Sequence, residues 1–214
     1  MSGQEPQRPQ PDTSTLETIV PTIVAHLTAK HRAREQALAA SRRLIQASAR
    51  SIRAVHRGEF GEAASHLDEA RAAADESFAD LAEHPDIEHA GFVHDAEKEY
   101  AEARATLALA TGTPLPSPEE LGVSAAAYLN GIAEAVGELR RLILDRLRQG
   151  EFEGCDALLV AMDDIYSTLV TIDFPDAITG GLRRTTDQTR GILERTRGDL
   201  TMAIVQRRAT DALS

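Results

Sequence analysis

The sequence predicts an all-α fold, an antiparallel bundle of six or seven helices. Apolar residues recur at three- and four-residue steps along most of its 214 residues. No stretch alternates apolar and polar residues as a half-buried strand would. Aromatics are only 4% of the chain and Trp is absent. Ala, Leu, Ile and Val must therefore fill the core, and Ala-rich faces suit close helix packing better than a sheet.

Residues 1–14 are rich in Pro and Gln and are expected to form a disordered tail. Residues 15–214 read as a single helical domain. The span 15–28 reads as a short first helix that runs up to, or into, the next. Over 31–56, Leu38, Ser41, Ile45, Ser48, Ile52 and Val55 share one face of a long helix, and Gly58 fits its stop. A second helix is expected over 59–83, ended by His84-Pro85, and a third, capped by Asp86, over 86–111. The run Gly112-Thr-Pro-Leu-Pro-Ser-Pro118 is the clearest loop. Ser124 then starts a helix to about 148, ended at Gly150. Another covers 151–172, closed by Asp173-Phe-Pro175. Gly180-Gly181 precedes a last long helix to about 208. Short loops between these helices imply antiparallel neighbours.

Composition excludes several classes. The lone Cys155 rules out an intramolecular disulfide and a Cys-based zinc site, and it fits a reducing cytoplasm. No apolar run approaches the roughly 20 residues of a membrane span. No Glu-x-x-His pair supports a ferritin-like di-iron centre, and no Gly-rich phosphate loop is present. The net charge is -11, and Lys30 and Lys98 are the only lysines. This acidic, Arg-over-Lys balance is that of a salt-adapted, halophile-like cytoplasm. Such a chain binds nucleic acid only if its positive charge is gathered locally.

One segment gathers it. Arg43, Arg50 and Arg57 stand seven apart on the long helix, away from its apolar face, and Arg42, Arg53 and His56 flank them. Arginine grips phosphate through paired hydrogen bonds. The plain alternative is a solvated face with ordinary ion pairs. A second feature is acidic. Glu99 and Glu102 are three apart on the third helix, and Glu134 and Glu138 are four apart on the helix after the Pro-rich loop. Four carboxylates converging between two helices could hold Mg²⁺ or Mn²⁺. Glutamate pairs at these spacings are also common on wet helices.

Three segments resemble the translin/TRAX family. The run Ser41-Arg-Arg-Leu-Ile-Gln-Ala-Ser-Ala-Arg-Ser-Ile-Arg-Ala-Val-His-Arg57 resembles its early basic helix. Tyr128-Leu-Asn-Gly-Ile-Ala-Glu-Ala-Val-Gly-Glu-Leu-Arg140 resembles its Tyr-Leu-x-Gly segment. Asp164-Ile-Tyr166 through Phe174-Pro-Asp-Ala-Ile-Thr-Gly-Gly-Leu-Arg-Arg184 resembles the stretch before its last helix, above all in archaeal members. Glu99-Tyr100-Ala101-Glu102 is similar to the Glu-Tyr-x-Glu of TRAX-like members, and Glu134 stands where they carry Asp. The resemblance implies a translin-like bundle and a metal-dependent endoribonuclease acting on single-stranded RNA. Glu99, Glu102 and Glu134 would be catalytic, and Glu102 and Glu138 would hold Mg²⁺ or Mn²⁺. Arg42, Arg43, Arg50, Arg53, His56 and Arg57 would bind RNA, or DNA, inside a hollow homo-oligomer such as an octamer. The rival readings are a non-catalytic translin-like binder of single-stranded DNA or RNA, and a helical scaffold for a protein partner.

Overall fold

The computed structural model describes residues 13–212, all of whose regular structure is helical. The expected disordered tail falls outside this range except for Thr13 and Ser14. Six helices of 15 residues or more form the bundle: α1 (Leu16–His56), α2 (Phe60–Phe78), α4 (Gly91–Thr111), α6 (Ala125–Arg148), α7 (Cys155–Leu169) and α9 (Leu182–Asp211). Single-turn helices α3 (Pro85–Glu88), α5 (Pro118–Leu121) and α8 (Asp176–Thr179), with a 3₁₀ stretch at Ala79–Glu83, occupy the connections.

α4 lies between α1 and α6, and α6 also packs on α7 and α9. α1 presents Ala33, Ala37, Ala40, Ser41, Leu44, Ala47, Ser48, Ser51, Ile52, Ala54 and Val55 to the core. Most are small, which lets the helix axes approach. Leu139, Ile143, Met162 and Leu193 fill the α6–α7–α9 core, and Leu44, Leu67 and Tyr100 fill the α1–α2–α4 core.

One open alternative is resolved and several bounds differ from expectation: α2 ends at Phe78 before the 3₁₀ stretch, and α7 covers Cys155–Leu169 rather than 151–172. α1 is one continuous helix of 41 residues, on the order of 60 Å long at 1.5 Å per residue. Pro21 lies inside it, in an exposed turn where water can serve the carbonyl that loses its donor. The expected helix over 86–111 is two helices, because the backbone is extended at Ala90. Asp86 does not cap; it pairs with Lys30 of α1 at 2.6 Å. Ser124 does cap α6, its hydroxyl accepting from the Ala127 N–H. The Pro-rich loop ends in a capping box, in which Ser117 and Glu120 satisfy each other's backbone N–H groups. Among the described residues no helix is long and apolar enough to cross a membrane.

Candidate metal centre and nucleic-acid interface

The acidic site sits where α4 crosses α6. A Cβ on Gly131 of α6 would lie 2.7 Å from the Lys98 carbonyl oxygen, 2.7 Å from the Ala101 Cβ and 2.9 Å from the Glu102 nitrogen. Only glycine permits that approach. It brings the inward carboxylates of the two helices together: Glu99, Glu102 and Glu134 offer oxygens all within 4.8 Å of one another. Each is half-buried.

Burial and crowding perturb these groups. Burial, then the charges of Glu99, Glu134 and Glu138, push the Glu102 carboxyl up to about 8. Burial also raises Glu99, though Lys98 partly offsets it. Lys98 reaches into the cluster: its Nζ lies 2.9 and 2.8 Å from the two Glu134 carboxylate oxygens and 3.7 Å from Glu99. Burial works against the Lys98 ammonium. Its bond to Glu134 and the charges of Glu134, Glu99 and Glu102 outweigh that, so its pKa rises above the ordinary lysine value. The donor set fits a hard divalent cation, being all carboxylate with no soft ligand.

Glu138, expected beside Glu102 as a metal ligand, lies near enough for its charge to act on Glu102 but is engaged by His56. It lies one turn beyond Glu134, opposite the end of α1, and accepts a hydrogen bond of 2.5 Å from His56 Nε2. That bond holds the Glu138 carboxyl below the usual range despite its burial. His56, expected among the phosphate-binding residues, therefore turns inward. Its side chain is only 5% exposed, while its arginine neighbours point to solvent.

Arg42, Arg43, Arg50, Arg53 and Arg57 are all exposed along α1. Among the described residues, the first four have no carboxylate within ion-pair distance. Arg57 differs, being paired with Glu59 and, at 3.7 Å, with Glu62. The stripe thus offers four arginines whose donors are not committed to the protein. Arg183, by contrast, is paired with Asp173 at 3.0 Å, and Gly180 and Gly181 form a tight positive-φ turn before α9.

Comparison with known proteins bears on the fold and the family. No family model matches the sequence. The crystal structure of AfC3PO superposes with a TM-score of 0.82 at 35% identity, covering 88% of this chain and 98% of that one. The chain belongs to the translin/TRAX family. AfC3PO in complex with duplex RNA matches at a TM-score of 0.76 and 32% identity, over 88% of this chain and 97% of that one. Apo-NeC3PO, at 22% identity and a TM-score of 0.78 over 86% of this chain and 97% of that one, shares the fold. An uncharacterized protein of Methanocaldococcus jannaschii is 28% identical over 183 residues, 83% of this chain and 79% of that protein.

The segment that most resembles the translin/TRAX family has a visible structural task. Asn130 is buried; its amide donates to the carbonyls of Ala126 and Thr179 at 2.9 and 2.8 Å, and it accepts from the Thr185 hydroxyl at 2.7 Å. This ties α6 to α8 and to the start of α9. Gly131, next in sequence, sets the α4–α6 approach. Tyr100, between Glu99 and Glu102, is not part of the acidic site. It is buried on the opposite side of α4, its hydroxyl accepting from Arg104 Nε at 2.9 Å. Sequence reasoning missed Gly131, Asn130 and Lys98 as site-forming residues. A glycine and an amide in the middle of a regular helix were the available signals; for Lys98 there was only its rarity.

Proposed function

We propose that this chain is an RNA-binding subunit of a homo-oligomer and a divalent-metal-dependent endoribonuclease acting on single-stranded RNA. The convergence of Glu99, Glu102 and Glu134 carries the catalytic part of the reading. Half-buried carboxylates crowded until one is driven to about 8 make a site that a divalent cation stabilises. Glu99, Glu102 and Glu134 would hold the ion, which when bound supplies a water of lowered pKa and stabilises charge on the phosphate. The reaction breaks one phosphorus–oxygen bond of the strand as an incoming oxygen forms another. Glu138, kept ionised by His56, adds negative charge beside the ligands and would join them only by leaving His56. The uncommitted arginines of α1 would position the strand through its phosphates without reading bases. The chain has too few aromatics for a base-stacking platform.

The RNA-binding part is supported by the likeness to AfC3PO, which is known in complex with duplex RNA. Assembly is supported by α1. Leu16, Ile19, Val20, Ile23, Val24 and Leu27 form an apolar stripe, each about half exposed, beyond the reach of the chain's own core. The assembly proposed from the family resemblance is an octamer, in the reducing, salt-adapted cytoplasm that composition suggests.

A labelled single-stranded RNA, tested beside its duplex with Mn²⁺, Mg²⁺ or EDTA, decides the matter. Cleavage of the single strand is expected with either metal and not with EDTA. Glu102→Gln should abolish it while RNA binding and assembly survive. A non-catalytic RNA-binding oligomer is favoured by one observation, the Lys98–Glu134 ion pair, which makes the carboxylates look internally satisfied. Equal cutting by Glu102→Gln, or none by the wild type, would sink the nuclease reading.

A further inference from the structure

Lys98 does more than neutralise Glu134. Its ammonium touches both oxygens of one member of the acidic triad and lies 3.7 Å from a second. Two-ion phosphodiester sites hold their metals roughly 3.5–4 Å apart and share carboxylates between them. The Lys98 ammonium stands in the relation to Glu134 and Glu99 that one such ion would have. Resting on the metal-dependent reading above, we propose that Lys98 stands in for a second divalent ion, so that the site takes one Mn²⁺ or Mg²⁺ per chain.

Charge supports the assignment. Once a bound ion has displaced any proton, the three carboxylates and one ammonium sum to two negative charges, which a single divalent ion neutralises. Without the ammonium, one ion would leave the site negative where a phosphate must approach. The choice of residue supports it too. The chain has 23 basic residues, and all but Lys30 and Lys98 are arginine. An ammonium is a compact point charge, as a bound metal ion is. The backbone supports it independently. The Lys98 carbonyl is pressed against Gly131, so the root of the side chain is fixed at the helix crossing, beside Glu134.

Manganese titration of the full-length oligomer tests this without requiring cleavage. Wild type should bind one Mn²⁺ per chain. Lys98→Met should keep the assembly and bind Mn²⁺ at least about tenfold more tightly, since a neighbouring positive charge has gone. Lys98→Arg, which keeps the charge, should stay within about threefold of wild type. Lys98→Gln repeats the charge loss in case Lys98→Met does not fold. At saturating Mn²⁺, Lys98→Met should also have a lower kcat, so metal affinity and turnover move in opposite directions. A purely structural lysine would weaken both or neither. Two Mn²⁺ per wild-type chain, or unchanged or weaker binding by both neutral variants, overturns the inference while leaving the metal-dependent reading intact. No Mn²⁺ binding by any variant removes that reading and the inference with it.

Discussion

Replacing Gly131 by alanine probes the helix approach on which the acidic site depends. The added Cβ would meet the Ala101 Cβ and the Lys98 carbonyl oxygen at 2.7 Å and the Glu102 nitrogen at 2.9 Å. Carbon contacts are comfortable only from about 3.5 Å, so α4 and α6 must part by roughly 0.7 Å or more. Two of the three obstacles are backbone atoms, so a rotamer change cannot absorb the clash. Overpacking of this kind costs about 1–3 kcal/mol, and alanine returns about 1 kcal/mol through its better helix propensity. The expected net loss is up to about 2 kcal/mol, a fall of at most roughly 4–8 °C in Tm for a chain of this size. Gly137 provides the control on the same helix. Nothing lies within 4 Å of a Cβ built there, so Gly137→Ala should gain about 0.5–1 kcal/mol. Thermal unfolding followed by circular dichroism, in EDTA, compares the two. Manganese affinity should fall in Gly131→Ala alone, because only that variant pulls Glu134 from Glu99 and Glu102. If Gly131→Ala melts at or above Gly137→Ala, the close approach is not what holds the site.

Glu102 should make wild-type stability fall as pH rises from about 4.5 to about 8, because across that window the folded chain keeps a proton the unfolded chain has lost. Glu102→Gln should match wild type at the acid end and exceed it at the basic end, and parallel pH–stability curves would refute this. Changing Arg43, Arg50 and Arg53 together to Gln should weaken RNA binding and reduce its logarithmic salt slope by about 2 to 3. Arg57→Gln should do less, since Glu59 and Glu62 already engage that guanidinium; an unchanged slope in the triple variant would move the interface elsewhere. Ile19→Glu with Ile23→Glu should lower the assembly mass in light scattering without loss of helicity, and an unchanged mass would show that the stripe is not an assembly surface.

What the sequence revealed and what it hid divide along a physical line. Features set by local chemistry were legible: the Ser124 cap, the Gly112 stop, the buried face of α1 and the separate faces carrying Glu99–Glu102 and Glu134–Glu138. Features set by one helix's offset along another were not. Period alone cannot say which of four carboxylates meet, because a shift of one turn exchanges Glu134 for Glu138. The Gly131 contact fixes that shift, and His56, from the end of α1, takes Glu138. The break at Ala90 was hidden for a similar reason. Asp86 reads as a cap from its neighbours in sequence, yet its partner is Lys30, far away in the chain. Whether the first helix joins the next stayed open in the sequence, because the cost of Pro21 depends on exposure that the sequence does not display.

Net charge and local charge pull this chain in opposite directions. At -11 its overall field repels a polyanion, and salt shortens that repulsion to about 8–10 Å at ordinary ionic strength. Within such a distance, the nearest charges decide what a phosphate feels. On α1 those charges are arginines without acidic partners, so the stripe remains attractive inside a repulsive whole. At the acidic site the near charges are carboxylates, and a phosphate is admitted only where cations offset them. Lys98 supplies one such charge permanently, and a divalent ion would supply the rest. The two surfaces are mechanically joined, because the helix that carries the stripe ends in His56, and His56 holds Glu138 one turn from Glu134.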